Sequence, residues 1–137
     1  MDLRNRTYAA FVELGRAPTA GELGEENEVR AAWRQLHEAH ALVLNPATAE
    51  IRMANPFSAV PTAYRVHADG RWWYANCAWD AFGVLSSLKL EGRIESSCPD
   101  CGEPYSVEVV EQRIDRPELL FHCLVPAAHW WDDIVFT

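Results

Sequence analysis

The chain has 137 residues, 49% of them hydrophobic and six of them tryptophan, and its formal net charge is −8. This length suits one ordinary domain, or two very small ones, with a real apolar core. The acidic balance disfavours a general nucleic-acid binder, which neutralises phosphates with clustered Lys and Arg. The apolar runs are too short to cross a bilayer and the N-terminus lacks the apolar core of a signal peptide, so we expect a cytoplasmic protein that does not contact membranes.

Three helices are predicted in the N-terminal part of the chain. Apolar residues at near-helical spacing predict the first helix over residues 4–14, with Gly15 as its stop. The sequence TAGE at 19–22 has the form of a capping box and predicts a short second helix over about 19–24. The third segment, from Glu26 to His40, places its apolar residues on one helical face.

A small hairpin with strands at 41–44 and 50–53 is predicted after these helices. Three helices followed by a hairpin is the order of a winged helix-turn-helix. Residues 1–55, however, hold six Arg and Lys residues against eight Asp and Glu residues, a net charge of −2. A DNA-reading helix normally presents a basic face. We therefore predict that residues 1–55 are a winged-helix-like helical subdomain that serves as a platform and does not bind nucleic acid.

Residues 55–61 contain two prolines and predict a linker between subdomains, with Phe57 and Val60 lying against the core. Beyond the linker, a helix is predicted at 77–88. The predicted strands are 62–67, 71–75, 93–97, 105–110 and 119–125. The fold class is therefore α+β, in which residues 56–137 form a small, mostly antiparallel sheet that carries this helix.

The stretch from Trp72 to Phe82 is where we place the chemistry. An extended aromatic run stops at Asn76, a good N-cap residue, and a helix is predicted to begin there. In the first helical turn, the helix dipole and free N–H groups would lower the pKa of Cys77 and make it a soft nucleophile or soft-metal ligand. Asp80 lies three residues later in the same predicted turn. Each residue also has a purely structural explanation, since buried structural cysteines are common and the helix dipole alone favours an acidic residue at position 80.

A second cysteine motif, CPDCG, resembles half of a zinc knuckle. Cys98 and Cys101, together with His122 and Cys123, could form a structural zinc site, with Cys77 as the alternative to one of the last two. Adjacent residues of a strand point to opposite faces, which makes joint ligation by His122 and Cys123 awkward. A single CxxC lacks a second paired motif, so the alternative is a tight turn with two free thiols.

The segment YANCAWD at 74–80 resembles the Y-A-x-C-A-x-D motif of the organomercurial (alkylmercury) lyase family. The similarity continues through GRIESSC at 92–98, GEPYSV at 102–107 and LVP at 124–126. It spans roughly residues 60–126, with a weaker architectural match before them. The N-terminal helical region of this family is winged-helix-like and is not known for DNA binding, in agreement with the charge argument above.

The resemblance implies protonolysis of a carbon–mercury bond, which gives a hydrocarbon and Hg(II) and requires no cofactor. Two cysteine thiolates would take the soft mercury, and an aspartate would relay a proton to the departing carbon. By position, Cys77 is the first catalytic thiol, Asp80 is the proton relay, and Cys98 matches a cysteine that looks structural. The implied partners are a small organometal or soft metal ion and cellular thiols. A homodimer could cover a sheet edge near Thr137.

The family's second catalytic cysteine lies downstream of the region that matches 126–136, whereas this chain ends at Thr137. We therefore expect either a protein shortened at its C-terminus or a second thiol from elsewhere, for which Cys101 and Cys123 are the local candidates. Two alternative functions stay open: a non-catalytic protein that binds mercury, copper or zinc on the same fold, and a small zinc-stabilised winged-helix regulator. The predicted metal ligands are Cys77, Cys98, Cys101 and Cys123.

Overall fold

The computed structural model describes residues 1–137 and combines helices with one antiparallel sheet. The helices are α1 (Leu3–Leu14), α2 (Ala20–Leu23), α3 (Glu26–Glu38) and α4 (Ala78–Leu88), and a 3₁₀ helix spans Ala127–Asp133. The strands are β1 (Val43–Leu44), β2 (Ile51–Ala54), β3 (Phe57–Ser58), β4 (Tyr64–Ala68), β5 (Arg71–Ala75), β6 (Gly92–Ser97), β7 (Pro104–Val110) and β8 (Arg113–Ile114). None of the helices has the length and apolar character needed to span a bilayer.

All eight strands belong to one sheet in the order β1-β2-β3-β5-β4-β6-β7-β8, and each neighbouring pair is antiparallel. The predicted combination of helices with an antiparallel sheet is thereby confirmed. The boundary predicted after residue 55 falls between β2 and β3, which pair through Met53 and Ser58. The sheet thus continues across that point, and the division into two subdomains stays a prediction.

Capping side chains define the N-terminal helices. The Asp2 carboxylate accepts the backbone N–H of Asn5 at 2.8 Å and starts α1, which ends at Gly15 with a φ of 71°. The predicted capping box of α2 is present, because the Glu22 carboxylate accepts the backbone N–H of Thr19 at 2.8 Å and the Thr19 side chain accepts the backbone N–H of Glu22. These side chains satisfy backbone groups that helix ends leave unpaired, which is why the sequence locates these ends well.

Buried aromatic side chains join the helices to the sheet. Trp33 of α3 is fully buried and donates its Nε1–H to Thr7 Oγ1 at 3.0 Å. Phe11 of α1 stacks on Phe57 of β3 with ring centroids 5.2 Å apart, and Trp73 of β5 donates its Nε1–H to the Phe11 carbonyl at 3.2 Å. All four rings belong to one cluster of 19 buried residues. The helices and the sheet therefore share a single core, and Phe57 packs against it as predicted.

Two predictions about the less regular segments are wrong. Residues 119–125, predicted as a strand, are irregular and mostly exposed, because β7 already pairs with β8 and the segment has no neighbouring strand. Conversely, part of the predicted linker at 55–61 is a strand, since residues 57–58 pair with β2 on one side and β5 on the other. Alternating hydrophobicity predicts a strand only where a ladder partner exists, and sequence alone does not reveal that partner.

We predict that Trp33→Phe lowers the free energy of unfolding by about 1–3 kcal/mol, because it removes a buried donor to Thr7 and part of a packed ring. Urea unfolding followed by circular dichroism would measure the midpoint and the slope. Trp79→Phe is the matched control, since the Trp79 side chain is 61% exposed and its replacement should cost about 0.5 kcal/mol or less. Equal midpoints for the two variants would contradict this account of the core.

Candidate functional site at the start of α4

The start of α4 lies one residue later than predicted, because Cys77 and not Asn76 is its N-cap. The Cys77 Sγ accepts the backbone N–H of Asp80 at 3.4 Å, in the position that a serine or aspartate oxygen usually takes. β5 ends at Ala75, so the thiol stands directly where the chain leaves the sheet and enters the helix. Cys77 and Asp80 are therefore held in one helical turn, as predicted from their spacing.

Asn76 does not cap the helix because its side chain is engaged elsewhere. Its Nδ2 lies 2.9 Å from Asn55 Oδ1, 3.1 Å from the Phe57 carbonyl oxygen and 3.1 Å from Asp80 Oδ2. The two hydrogens of the amide are shared among these three acceptors. The Asn76 Oδ1 is buried and has no hydrogen-bond partner. This amide fixes the Asp80 carboxyl on the side of α4 that faces β3.

Burial controls the protonation of both candidate groups. It raises the pKa of the Asp80 carboxyl above its usual range, and the hydrogen bond from Asn76 opposes the shift. Burial also raises the pKa of the Cys77 thiol, against the N–H groups of Asp80 and Trp79, which stabilise the thiolate. The prediction of a lowered Cys77 pKa is therefore wrong, because desolvation and the nearby Asp80 charge outweigh the favourable start of the helix.

Two tyrosines that the sequence analysis did not single out border this site. Burial raises the pKa of Tyr64 in β4, and the charge of the nearby Cys77 adds to the shift. Burial likewise raises the pKa of Tyr8 in α1, and the charge of Asp80 adds to it. Tyr64 reaches the site because it pairs with Ala75 across the two central strands. That register, which the sequence does not state, brings Tyr64 to the start of α4, whereas the Tyr8 hydroxyl donates to the Asn55 carbonyl at 3.0 Å.

Cys123 is the cysteine whose charge reaches Cys77 and further raises the pKa of that thiol. It is exposed, and its Sγ donates to the Val125 carbonyl at 2.9 Å. The ring of Phe121 lies beside that of Trp79 in α4, with centroids 5.9 Å apart. The contact of Phe121 with Trp79 brings the irregular segment after β8 to the start of α4, and this segment carries Cys123, one of the two expected second thiols.

Cys98 and Cys101 lie in the turn that joins β6 to β7. The turn is closed by two backbone hydrogen bonds of 2.8 Å, from the Cys98 N–H to the Glu103 carbonyl and from the Gly102 N–H to the Cys98 carbonyl. The N–H groups of Cys101 and Asp100, with the Cys101 thiol, hold the pKa of Cys98 below its usual range. The predicted tight turn is therefore present, and its two thiols are free.

The predicted zinc ligands are not assembled in this structure. The His, Cys, Asp and Glu side chains form no group of three or more that could hold a metal ion. His122 and Cys123 lie in an irregular segment, so the argument that a strand would point them to opposite faces does not apply. A zinc site built from Cys98, Cys101, His122 and Cys123 stays a prediction.

A cleft of about 400 Å³ lies at the other end of the sheet, around the turn between β4 and β5. Half of its ten lining residues are charged, among them Asp69, Arg71 and Glu108. A smaller cleft lies between α3 and the β1–β2 connection. Neither cleft includes Cys77 or Asp80. The candidate site is therefore a half-buried position at the sheet end where α4 begins and not one of these clefts.

We predict that Asp80→Asn stabilises the folded protein at neutral pH. The folded-state pKa of Asp80 is raised, so between its ordinary value of 3.8 and that raised value the folded state binds more protons and stability falls as pH rises. Above this window the buried carboxylate destabilises the fold; below it the penalty is absent. The difference in free energy of unfolding between Asp80→Asn and the wild type, measured by urea unfolding, should therefore shrink as the pH falls towards 3.8. Asp69→Asn, a control whose side chain is 65% exposed, should show little gain.

We also predict that Cys98 reacts with iodoacetamide at lower pH than Cys77. Backbone N–H groups lower the pKa of Cys98, whereas burial raises that of Cys77, and only the thiolate attacks. Alkylation across a pH series, followed by peptide mass spectrometry, compares the two thiols within one sample. If Cys77 is alkylated at lower pH than Cys98, the N–H groups at the start of α4, and not burial, decide the reactivity of Cys77.

The comparisons with known proteins show a shared fold and a family. The structure of the mercury-bound form of MerB2 matches with a TM-score of 0.62 and 23% sequence identity, which shows a shared fold. The match covers 82% of this chain and 57% of that chain, so this chain spans less than two thirds of that relative. None of the curated proteins matches the sequence. The alkylmercury lyase (MerB) family pattern matches residues 57–137, more than half of the chain, and this protein therefore belongs to the alkylmercury lyase family.

Proposed function

We propose that this protein cleaves carbon–mercury bonds by protonolysis, with Cys77 as the sulfur that takes mercury and Asp80 as the proton relay. Membership in the alkylmercury lyase family supports the reaction class. One observation carries the assignment of roles: the Asp80 N–H bonds the Cys77 Sγ at 3.4 Å, while the Asp80 carboxyl is held half-buried in the same helical turn. A soft-metal ligand and a proton carrier are thus placed next to each other.

The proposed reaction keeps mercury in the +2 state throughout. The Cys77 sulfur bonds the mercury of an organomercurial cation, and the Asp80 carboxylate accepts the thiol proton. Asp80 then gives this proton to the mercury-bound carbon. The electron pair of the carbon–mercury bond forms the new carbon–hydrogen bond, the hydrocarbon leaves, and Hg(II) stays on sulfur. The carboxylate is restored, so the sequence needs no oxidant, reductant or cofactor.

The raised pKa values of both groups suit this order of steps. The Cys77 thiol keeps its proton until mercury binds, and therefore a base is needed beside it. Burial makes Asp80 a better proton acceptor than an exposed carboxylate would be, and its protonated form is favoured once mercury has displaced the thiol proton. A neutral carboxylic acid in a half-buried position is then available to protonate a carbanion-like carbon.

Cys123 is our candidate for the second thiol of the proposed reaction. The contact of Phe121 with Trp79 supports this choice, because it packs the irregular segment that carries the exposed Cys123 against the first turn of α4. A second thiolate would stabilise the Hg(II) product, since this soft ion prefers sulfur. Cellular thiols would then remove the ion by exchange at the exposed position.

The second candidate function is soft-metal binding without cleavage on the same fold. The observation that favours it is the same raised pKa of Cys77: a thiol that stays protonated until metal arrives can bind mercury or copper even if no proton reaches carbon. Structural zinc, and the regulator role that would depend on it, gain no comparable support from the arrangement of the cysteines.

We further propose that residues 1–55 form a winged-helix-like platform and do not read DNA. Helices α1 to α3 are followed by the antiparallel pair of β1 and β2, which is the order that such a platform requires. Arg30, in the presumed recognition helix, is engaged by Glu26 at 3.0 Å and by Glu50 at 2.8 Å. These ion pairs compete with phosphate contacts, and the region carries the net negative charge noted above.

Release of methane from methylmercury, or of benzene from phenylmercury, tests the proposed cleavage in the presence of excess thiol. We predict that Cys77→Ser abolishes release, because the sulfur that takes mercury is gone. Asp80→Asn should still bind mercury stoichiometrically but cleave about 10²–10⁴-fold more slowly in a single turnover. Gas chromatography measures the product, and native mass spectrometry measures the bound mercury.

Asp69→Asn is the matched control for Asp80→Asn, because it makes the same chemical change in the turn at the opposite end of β5. It should leave the release rate unchanged. If wild-type protein releases no hydrocarbon above the buffer rate and Cys77→Ser changes nothing, the lyase proposal fails. Stoichiometric mercury binding without turnover would instead establish the binding-only function.

A further inference from the structure

Cys98 and Cys101, in the turn between β6 and β7, lie at the same end of the sheet as Cys77. Tyr74 of β5 and Glu95 of β6 both pair with Arg65 of β4, one on each side. Since β5 and β6 are both antiparallel to β4, they run in the same direction. Cys77 and Cys98 each follow three residues after these paired positions, and so both lie just beyond the same sheet end. Two strand spacings, roughly 10 Å, separate β5 from β6 there.

The two thiols of the β6–β7 turn contribute nothing to the hydrophobic core. Cys101 is exposed and Cys98 is partly exposed, and neither belongs to the buried cluster. The turn is nevertheless well defined, because backbone hydrogen bonds close it on both sides of the pair. Cys98 and Cys101 therefore lie three residues apart within one closed turn. An ordered, accessible pair of soft ligands is the result.

We propose that Cys98 and Cys101 form a second soft-metal site, separate from Cys77, that binds one Hg(II) ion through both sulfurs. Hg(II) is satisfied by two thiolates in a near-linear arrangement, whereas Zn(II) in structural sites takes four ligands. A pair of sulfurs therefore matches a two-coordinate ion. Binding is a simple exchange in which two S–H bonds give way to two S–Hg bonds and two protons pass to solvent, with no change in oxidation state.

The closed turn favours this exchange. Its two backbone hydrogen bonds hold Cys98 and Cys101 in one short loop, three residues apart. Once either sulfur binds the ion, the other closes the chelate within the same turn, which raises its effective concentration at the metal.

The position of this pair suggests the source of its ion. Hg(II) left on Cys77 after carbon–mercury cleavage would meet a chelating pair at the same end of the sheet, and this receiving role rests on the proposed function. Binding of Hg(II) by the pair does not rest on it, because mercuric chloride supplies the ion without any cleavage. The two ideas can therefore fail separately.

The test uses the 137-residue chain with Cys77→Ser and Cys123→Ser, in which only Cys98 and Cys101 keep their thiols. We expect this protein to retain one Hg(II) per chain after titration with mercuric chloride and dialysis against excess monothiol. Adding Cys98→Ser or Cys101→Ser should each lower the retained mercury at least about tenfold, because a single sulfur loses the chelate. Native mass spectrometry gives the stoichiometry, and circular dichroism confirms that each variant is folded.

Equal retention after removal of either turn cysteine would overturn the proposal, as would one ion bridging two chains. If the double variant does not fold, the unmodified chain serves instead. Two equivalents of mercuric chloride should then protect both Cys98 and Cys101 from iodoacetamide in peptide mapping, and full alkylation of either one would refute the pair. If the pair retains Hg(II) while the wild-type protein cleaves no organomercurial, the site stands and the receiving role falls.

Discussion

The side-chain amide of Asn76 is the contact on which the arrangement at the start of α4 depends. It connects the chain around β3, through Asn55 and the Phe57 carbonyl, to the Asp80 carboxyl on the first turn of the helix. Phe57 is itself anchored by stacking on Phe11, so the position of the carboxyl is tied to the core that the helices and sheet share. A residue that would otherwise cap the helix thereby holds an acid in place.

Because Asn76 is occupied in this way, the capping position passes to Cys77. A thiol is a weaker acceptor than a carboxylate or hydroxyl oxygen, so the helix start is stabilised less than usual. What the site gains is a sulfur fixed beside an acid, with both half-buried. Desolvation raises both pKa values, so the Cys77 thiol holds its proton more tightly and the Asp80 carboxylate becomes a better acceptor for that proton. In the proposed reaction, this site exchanges a proton for a soft metal.

The sequence predicted what depends on local patterns. The capping residues of α1 and α2, the hairpin of β4 and β5, and the spacing that places Cys77 and Asp80 in one turn all follow from neighbouring residues. It failed where partners are distant. The strand state of residues 57–58 depends on β2 and β5, the irregular state of 119–125 on the lack of a partner, and the pKa of Cys77 on burial by the whole fold.

The same distinction explains why the cysteines divide into two kinds. Cys98 lies in a local turn, where backbone N–H groups a few residues away set its pKa below the usual range. Cys77 also has N–H donors nearby, yet the surrounding core and the Asp80 charge push its pKa the other way. A thiol that keeps its proton is useful where that proton is needed for carbon, and a thiol that gives it up readily is useful where only the metal must be held. One end of the sheet therefore presents both kinds of sulfur, and their difference follows from how much of the fold covers each.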